Sequence, residues 1–429
     1  MENPDQQENF HLFRLFRSIA INFAGPFISI YAHTLGFSHS FIAFYSGLAE
    51  IAGDISRFIA GFLLNIFRDA KKFTEIIILL WSLIWILFPF AKNEYVFATI
   101  AVLESVLKSS FIVSYLVLLV DLLKGKGRIK SITKLNVFAA IGAIIGNFFS
   151  GLLLYVYGFT IYVFIITSIV SFISLIIFNK INFTRRGNEL KREKIRLHLR
   201  KVFSDKKFTR FTLVASLFYF SVGISTSYFP IFLVENLKLT TFHWGIVNVV
   251  QTISLIILGN YIYRTIKWLG YRRSFLVSSM MISLNPFIWV YFARYDIILV
   301  WTFFTGITTS MYNIALTSYL SSIIRKNYTE EKSGVFYLLY GLSLSFGYFT
   351  GSIMAKFMAL EQIMYFSFII RVIFSSVFVF IGKQEYRMSD FAVSLPKIIV
   401  KRTLLSFYVL SKMIRNFGND LKNTEIKFS

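Results

Sequence analysis

Apolar runs of about twenty residues, each long enough to cross a bilayer as a helix, recur along the chain between short polar links, and every second link is basic. The basic set holds Arg68, Lys71 and Lys72; Lys124, Lys126, Arg128, Lys130 and Lys134; the stretch from Lys180 to Arg210; Arg264, Lys267, Arg272 and Arg273; Arg325, Lys326 and Lys332; and the segment after Lys383. The alternate links, around Gly36, Asn93, Gly158, Lys238, Tyr295 and Glu361, carry a basic residue or two at most. Cytoplasmic loops retain Lys and Arg, so this alternation predicts both the number of crossings and their direction, with both ends inside. Only a helix satisfies its own backbone polar groups in hydrocarbon. The expected fold class is therefore an all-α membrane protein.

The spans fall at approximately 12–34, 41–66, 74–91, 96–121, 136–157, 159–179, 209–234, 242–263, 274–293, 297–322, 334–356 and 363–382. The polar stretch 180–208 divides these twelve six and six, so two six-helix bundles are expected at 1–179 and 209–382. The tail, 383–429, is basic; its short apolar stretches alternate with Lys397, Lys401, Arg402, Lys412 and Arg415, a pattern that suits an interfacial amphipathic helix. Hydrophobic residues make up 56% of the chain and charged residues 16%, against about 25% charged in a soluble domain. The net charge of +23 would suit nucleic acid if it formed one folded patch. It is spread over loops on one membrane face instead, so topology and anionic lipid account for it and no nucleic-acid partner is expected. The absence of cysteine excludes disulfides and thiolate metal sites. The acidic start (Glu2, Asp5, Glu8) lacks the basic region of a cleaved signal peptide, so the first helix is expected to be retained.

The halves look like copies offset by about 200 residues. PFISIYAHTLGFS (26–38) has its counterpart in YFPIFLVENLKLT (228–240), and Gly142, Gly146 and Ser150 have theirs in Ser343, Gly347 and Gly351. Internal repeats of this kind build transporters, whose halves enclose a central site. On these features the chain resembles the major facilitator superfamily over nearly its whole spanning length. The superfamily signature between spans two and three is Gly, three residues, Asp, then Arg, followed by Gly and a basic pair. Here GFLLNIFRDAKK (61–72) keeps Gly61 and Lys71–Lys72, with Asn65 in place of the acid, Ile66 in place of the base, and Arg68–Asp69 a little later. The second half keeps Gly259, Arg264, Gly270 and Arg272–Arg273, with Tyr263 for the acid. The resemblance implies a cytoplasmic gating lock, here weakened or rebuilt from Arg68, Asp69 and Asp121. GAIIGNFFSG (142–151) is similar to the family's antiporter motif, with Asn147 for its proline and Ser150 for one Gly. The missing proline takes weight from export. Small residues four apart let helix backbones approach closely, so Gly142, Gly146, Gly151, Gly347 and Gly351 are candidate hinge or packing positions.

Charges inside spans are costly, at about 2.5–3.5 kcal/mol even on the lenient insertion scale, so each one points to a partner or a function. Glu50, Asp54 and Arg57 share one helical face by their spacing of four and three. Glu104 and Lys108, also four apart, lie near the middle of span four. If all five line one cavity, three acids face two bases. One carboxylate then lacks a cation and becomes a candidate proton carrier, with Asp54 and Glu50 leading and Glu104 next. The bland alternative is an ion-pair network that only fixes helix positions. Arg371, near the middle of span twelve, either contacts an anionic substrate or another helix, or snorkels. Asn22, Asn248, Gln251, Asn285 and Asn313 are candidate cavity-lining residues that serve equally as interhelical hydrogen bonds.

All five histidines lie near span ends or in loops, without metal-ligand spacing deep in the membrane, and no nucleotide-binding or hydrolytic motif is present. The reading that follows is a secondary transporter, not an enzyme, with no cofactor and no metal. It moves a small organic solute by alternating access, is coupled to protons, and favours efflux. It is expected as a monomer in the plasma membrane, in contact with anionic lipid on the cytoplasmic side. The alternatives are an uncoupled facilitator or uptake permease and, from another class, a receptor or scaffold that does not transport.

Overall fold

The computed structural model describes residues 4–67, 69–122, 128–182, 202–324 and 329–381. Every regular element among them is helical. The expected linker and tail fall mostly outside the described residues, so the interfacial helix placed at the tail does too. Nine of the helical stretches are long and apolar enough to cross a membrane. The other three expected spans, 41–66, 242–263 and 334–356, are also helical. One of them, α3 (His39–Phe67), carries Glu50, Asp54 and Arg57.

Two expected spans are broken in the structure, and at equivalent places. The first divides into α1 (Pro4–Phe23), a single turn at Gly25–Phe27 and α2 (Ile28–Thr34). The seventh divides into α8 (Lys206–Thr226) and α9 (Phe229–Glu235). Pro26 and Pro230 sit at the breaks. A proline has no N–H to give and crowds the preceding turn, which breaks each helix there although the apolar pattern runs through. Between them lie α4 (Ala70–Leu87), α5 (Glu94–Leu122), α6 (Arg128–Tyr157) and α7 (Ile161–Asn179). Spans eight and nine form one continuous backbone run, α10 (Thr241–Phe292), broken at Gly270, where φ is 74°. Side chains are strained at that φ, and glycine is not. The chain ends in α11 (Tyr295–Ile324), α12 (Thr329–Met354) and α13 (Leu360–Ser376).

Packing repeats as well. In the first half α1 lies against α6 and α7, and α3 against α5; in the second, α8 lies against α12 and α13. At the α1–α6 contact, a Cβ on Gly146 would stand 2.8 Å from the Ile19 carbonyl oxygen, and one on Gly142 would strike the Leu15 carbonyl. At the α8–α12 contact, a Cβ on Gly347 would meet Gly223 Cα at 2.8 Å and lie closer still to the Phe220 carbonyl. The helices are therefore in backbone contact, as small residues permit.

The halves meet through α3 against α12 and α6 against α10. Gly151 faces Gly245 and Phe242, Phe44 packs on Phe349, and the Ser352 hydroxyl donates to the Ser40 carbonyl at 2.7 Å. These contacts lie on the side away from the basic loops. On that side the Trp244 indole N–H also donates to the carbonyl of Pro26 at 2.8 Å, using the acceptor at the helix break.

Overpacking of this kind costs about 1–3 kcal/mol. Gly347→Val is expected to lower the thermal midpoint of the purified protein in detergent. Gly334→Ala, whose Cβ would meet nothing within 4 Å, is expected to leave it unchanged or slightly raised. Differential scanning fluorimetry reads both.

Candidate functional site

The middle of α3 carries charge because its neighbours leave room for it. Gly53 packs on Ser105 and Ser109 of α5, so α3 sits close to that helix. One helical step on, Asp54 points across to α12, where Gly341 has no side chain; a Cβ there would overlap the Asp54 carboxylate. Arg57 Nη1 donates to Asp54 Oδ1 at 2.5 Å, and Arg57 Nη2 lies 4.0 Å from Glu50 Oε1. The Asp54 side chain is 3% exposed, whereas Arg57 and Glu50 are 39% and 32% exposed. Asp54 is thus hidden at the contact between halves, and its two charged neighbours reach open space. Its second oxygen, Oδ2, is buried without a hydrogen-bond partner. Tyr219 of α8 is within electrostatic range of Glu50, Asp54 and Arg57. Its ring stacks on Tyr340 of α12 at 3.8 Å and 11°.

Of the five charges expected on one cavity, Glu50, Asp54 and Arg57 stay together and Glu104 and Lys108 do not join them. Glu104 turns away from α3 and accepts a hydrogen bond from the Trp81 indole of α4 at 3.0 Å. Lys108 is exposed. The cation near Glu104 is Arg17 of α1, which is fully buried. Its guanidinium lies 4.1 Å from the Trp81 ring and 4.4 Å from the Phe111 ring, and donates to the Ser171 hydroxyl of α7 at 3.1 Å. Aromatic faces attract a desolvated cation by up to about 2 kcal/mol or more. Sequence reading missed Arg17 because it falls in the polar start of the first apolar run, where a base reads as an end-of-span residue.

Arg371 holds the corresponding place in the second half. It is buried, and donates to the Ser221 and Val222 carbonyls and the Ser225 and Ser367 hydroxyls at 2.7–3.4 Å. Its donors bind α8 and α13 together, so its charge is satisfied within its own half and not by snorkelling. Arg17 joins the first and sixth spans, and Arg371 the seventh and twelfth.

Asn22 and Asn248 turn their amides to carbonyls of their own helices, on Ser18 and Trp244, each at 2.9 Å. Gln251 is half-buried, and its backbone carbonyl lies against Gly306. Asn285 leaves its carbonyl oxygen buried and unpaired. Asn313 is exposed, as are Thr317 and Ser321, one and two turns further along α11. This polar stripe lies in the half of α11 nearer the basic loops, where lipid would disfavour it and water would not.

Of the gating residues, Arg68 lies outside the described residues, and the side chains of Asn65 and Asp121 and the surroundings of Gly61 and Gly259 do too. Asp69 caps α4, accepting from the Lys71 and Lys72 amides at 3.1 and 3.2 Å. Arg264 is exposed. In the second half Asp205 caps α8 in the same manner and pairs with Lys332 of α12 at 2.7 Å. One grouping of metal-ligand type is present among the described residues, at helix ends and unmarked by spacing in the sequence: His33, His39 and Glu235, brought together from three helices.

The matched family model is the Major Facilitator Superfamily, over residues 11–348. The chain belongs to this family, and is a multi-pass membrane transporter of small-molecule solutes. Among solved structures it is similar to a variant of the nucleoside transporter NupG, at TM-score 0.73 and 14% identity, covering 88% of this chain and 100% of that one. It is also similar to a bacterial homologue of the human lysosomal transporter Spinster in an inward-facing, occupied conformation. That match has TM-score 0.67 and 13% identity, and covers 87% of this chain and 95% of the other. No curated protein sequence matches the chain.

The Trp81 contact can be isolated by comparison. Trp81→Phe and Trp85→Phe remove similar volume, but only the Trp81 indole N–H has a partner; that of Trp85 has none. Trp81→Phe is expected to lower stability by about 1–3 kcal/mol more than Trp85→Phe, the cost of a buried charge-assisted bond. Thermal unfolding in detergent checks this.

Proposed function

We propose that the chain is a proton-coupled transporter and that Asp54, with Arg57 and Glu50, is its coupling site. The observation that carries this reading is the Asp54 carboxylate. It is buried between halves that must part during transport, with one oxygen on Arg57 and the other without a partner. A proton on Oδ2 would neutralise the acid and weaken the Arg57 pair. With Asp54 ionised, Glu50 is left free to meet the solute in the open space beside it; with Asp54 protonated, the released Arg57 turns to Glu50, 4.0 Å away, and takes the solute's place. Proton and solute thus exclude one another at this ion pair, and competition of that kind favours exchange over co-movement. With protons moving inward down their gradient, exchange exports the solute, so efflux is the favoured direction.

The basic loops support an orientation with both ends cytoplasmic. The contacts between halves lie on the opposite side, and the polar stripe of α11 lies nearer the basic loops, so this state opens to the cytoplasm. The basic face suits anionic lipid, and the protein works as a monomer in the plasma membrane. Tyr219, Tyr340 and the aromatic composition suit a partly apolar organic solute; the nucleoside transporter among its structural neighbours makes nucleosides a sensible first class to screen. A second reading, uncoupled facilitation, draws on the Arg57–Asp54 pair itself, since a paired carboxylate tends to stay ionised.

A thermal-shift screen of purified protein against a broad solute panel finds the solute, because a ligand that binds the folded state raises its stability. Asp54→Asn in proteoliposomes is then expected to abolish solute movement driven by a pH gradient, by tenfold or more, while solute counterflow persists. Full pH-driven transport in Asp54→Asn and Glu50→Gln alike would favour facilitation. Failure of every solute to bind would favour a scaffold.

A further inference from the structure

On the face away from the basic loops, three side chains from separate helices converge. His33 ends α2, His39 opens α3, and Glu235 ends α9 of the other half. Glu235 Oε2 lies 2.7 Å from His39 Nε2 and 3.8 Å from His33 Nε2. One ligand atom from each residue lies within 4.8 Å of the other two. The two imidazole rings face each other at 5.5 Å and 26°. The side chains are 27–39% exposed, so an ion can reach them from solvent.

We propose that His33, His39 and Glu235 form a divalent transition-metal site, with Zn2+ as the fitting ion, that clasps the two halves together. Two imidazole nitrogens and one carboxylate oxygen are a zinc donor set, with water completing a tetrahedron. Metal–ligand distances of about 2.0–2.2 Å place tetrahedral donors roughly 3.3 Å apart. That value falls between the two observed separations, so side-chain rotation alone brings all three onto one ion. Hard cations such as Mg2+ prefer all-oxygen octahedra and are disfavoured by the two imidazoles. The site spans both halves at the face where alternating access requires them to part. An ion held there selects the state with this face closed.

The site explains a pairing that topology does not require. A lone His39–Glu235 hydrogen bond would join the halves without His33. The second imidazole, stacked on the first and turned to the same carboxylate oxygen, supplies a third donor. Nothing in the sequence marks the set, since its members are 6 and 196 residues apart along the chain. The loop connecting α2 to α3 and the equivalent turn after α9 bring them together only in the folded protein.

The test uses the full-length, tag-free protein in detergent, stripped with chelator and titrated with ZnCl2 alone. A saturable rise in thermal midpoint at one equivalent is expected, with no rise from MgCl2. His39→Ala and Glu235→Gln are each expected to raise the Zn2+ concentration at half-saturation by about tenfold or more, since each removes a direct ligand. Co2+ gives a second readout on the unaltered protein. Bound at this site it develops the intense visible absorption of a tetrahedral ion, and excess Zn2+ abolishes it. The proposal is overturned if Zn2+ produces no saturable shift. It is equally overturned if the shift survives in a His33→Ala/His39→Ala variant, or if Co2+ keeps the weak spectrum of its octahedral aqueous ion. The readouts are binding measurements, so they stand whether or not Asp54 carries protons.

Discussion

An ionised side chain cannot rest alone in hydrocarbon, and the arrangement of this bundle follows from how its buried charges are answered. Arg17 is met by two aromatic faces, a serine hydroxyl and the nearby Glu104. Arg371 is met by carbonyls and hydroxyls of α8 and its own helix. Both solutions use helix pairs that are equivalent in the two halves, and both keep the charge inside a half. Such sites resist separation, because pulling the helices apart would leave a guanidinium unpaired, at a cost of several kcal/mol. Each half therefore carries a charged rivet through it.

Asp54 is answered differently. Its neighbours Arg57 and Glu50 lie on its own helix, but the surface that hides it belongs to the other half, at Gly341. Parting the halves would change its exposure without breaking any rivet. A group whose burial depends on domain position can couple protonation to conformation. Arg17 and Arg371 are not placed to do so, since the groups that answer them lie within their own halves. The same division appears in the glycines. Gly142, Gly146 and Gly347 weld helices inside a half, whereas Gly151 lies against Gly245 across the divide. Backbone contact across the divide needs no interlocking side chains and can part cleanly.

Much of this was legible in the sequence. The spans were marked by length and loop charge, and the repeat by glycines four residues apart. The face shared by Glu50, Asp54 and Arg57 followed from helical spacing within one element. What could not be read was which helix answers which charge. Glu104 and Lys108 share a face of α5 by periodicity, yet Glu104 pairs with Trp81, and its cation comes from α1. Spacing reports the direction of a side chain from its own axis and is silent on the neighbour it meets. The proline breaks at Pro26 and Pro230 were hidden for a related reason: apolar content continues through them, while the backbone hydrogen bonds do not. His33, His39 and Glu235 were hidden most completely, since no local pattern links a helix end in one half to a helix start in the other.

These two cross-half features, Asp54 and the His33–His39–Glu235 group, stand at different depths and suit different ions. Asp54 sits midway along α3, where a proton is the smallest charge that can reach it. The histidine group sits at the mouth, where a hydrated metal ion can enter. In a protein that works by alternating access, any ligand binding one state more tightly shifts the equilibrium only by its differential affinity. A proton on Asp54 would remove the charge that is costly to bury against Gly341, and so would favour the state in which the deep contact is closed. An ion on the histidine group would add a bond across the outer contact and oppose separation there. The same interface would thereby be held by a proton from within and by a metal ion from outside, and ionisation of Asp54 would favour its opening.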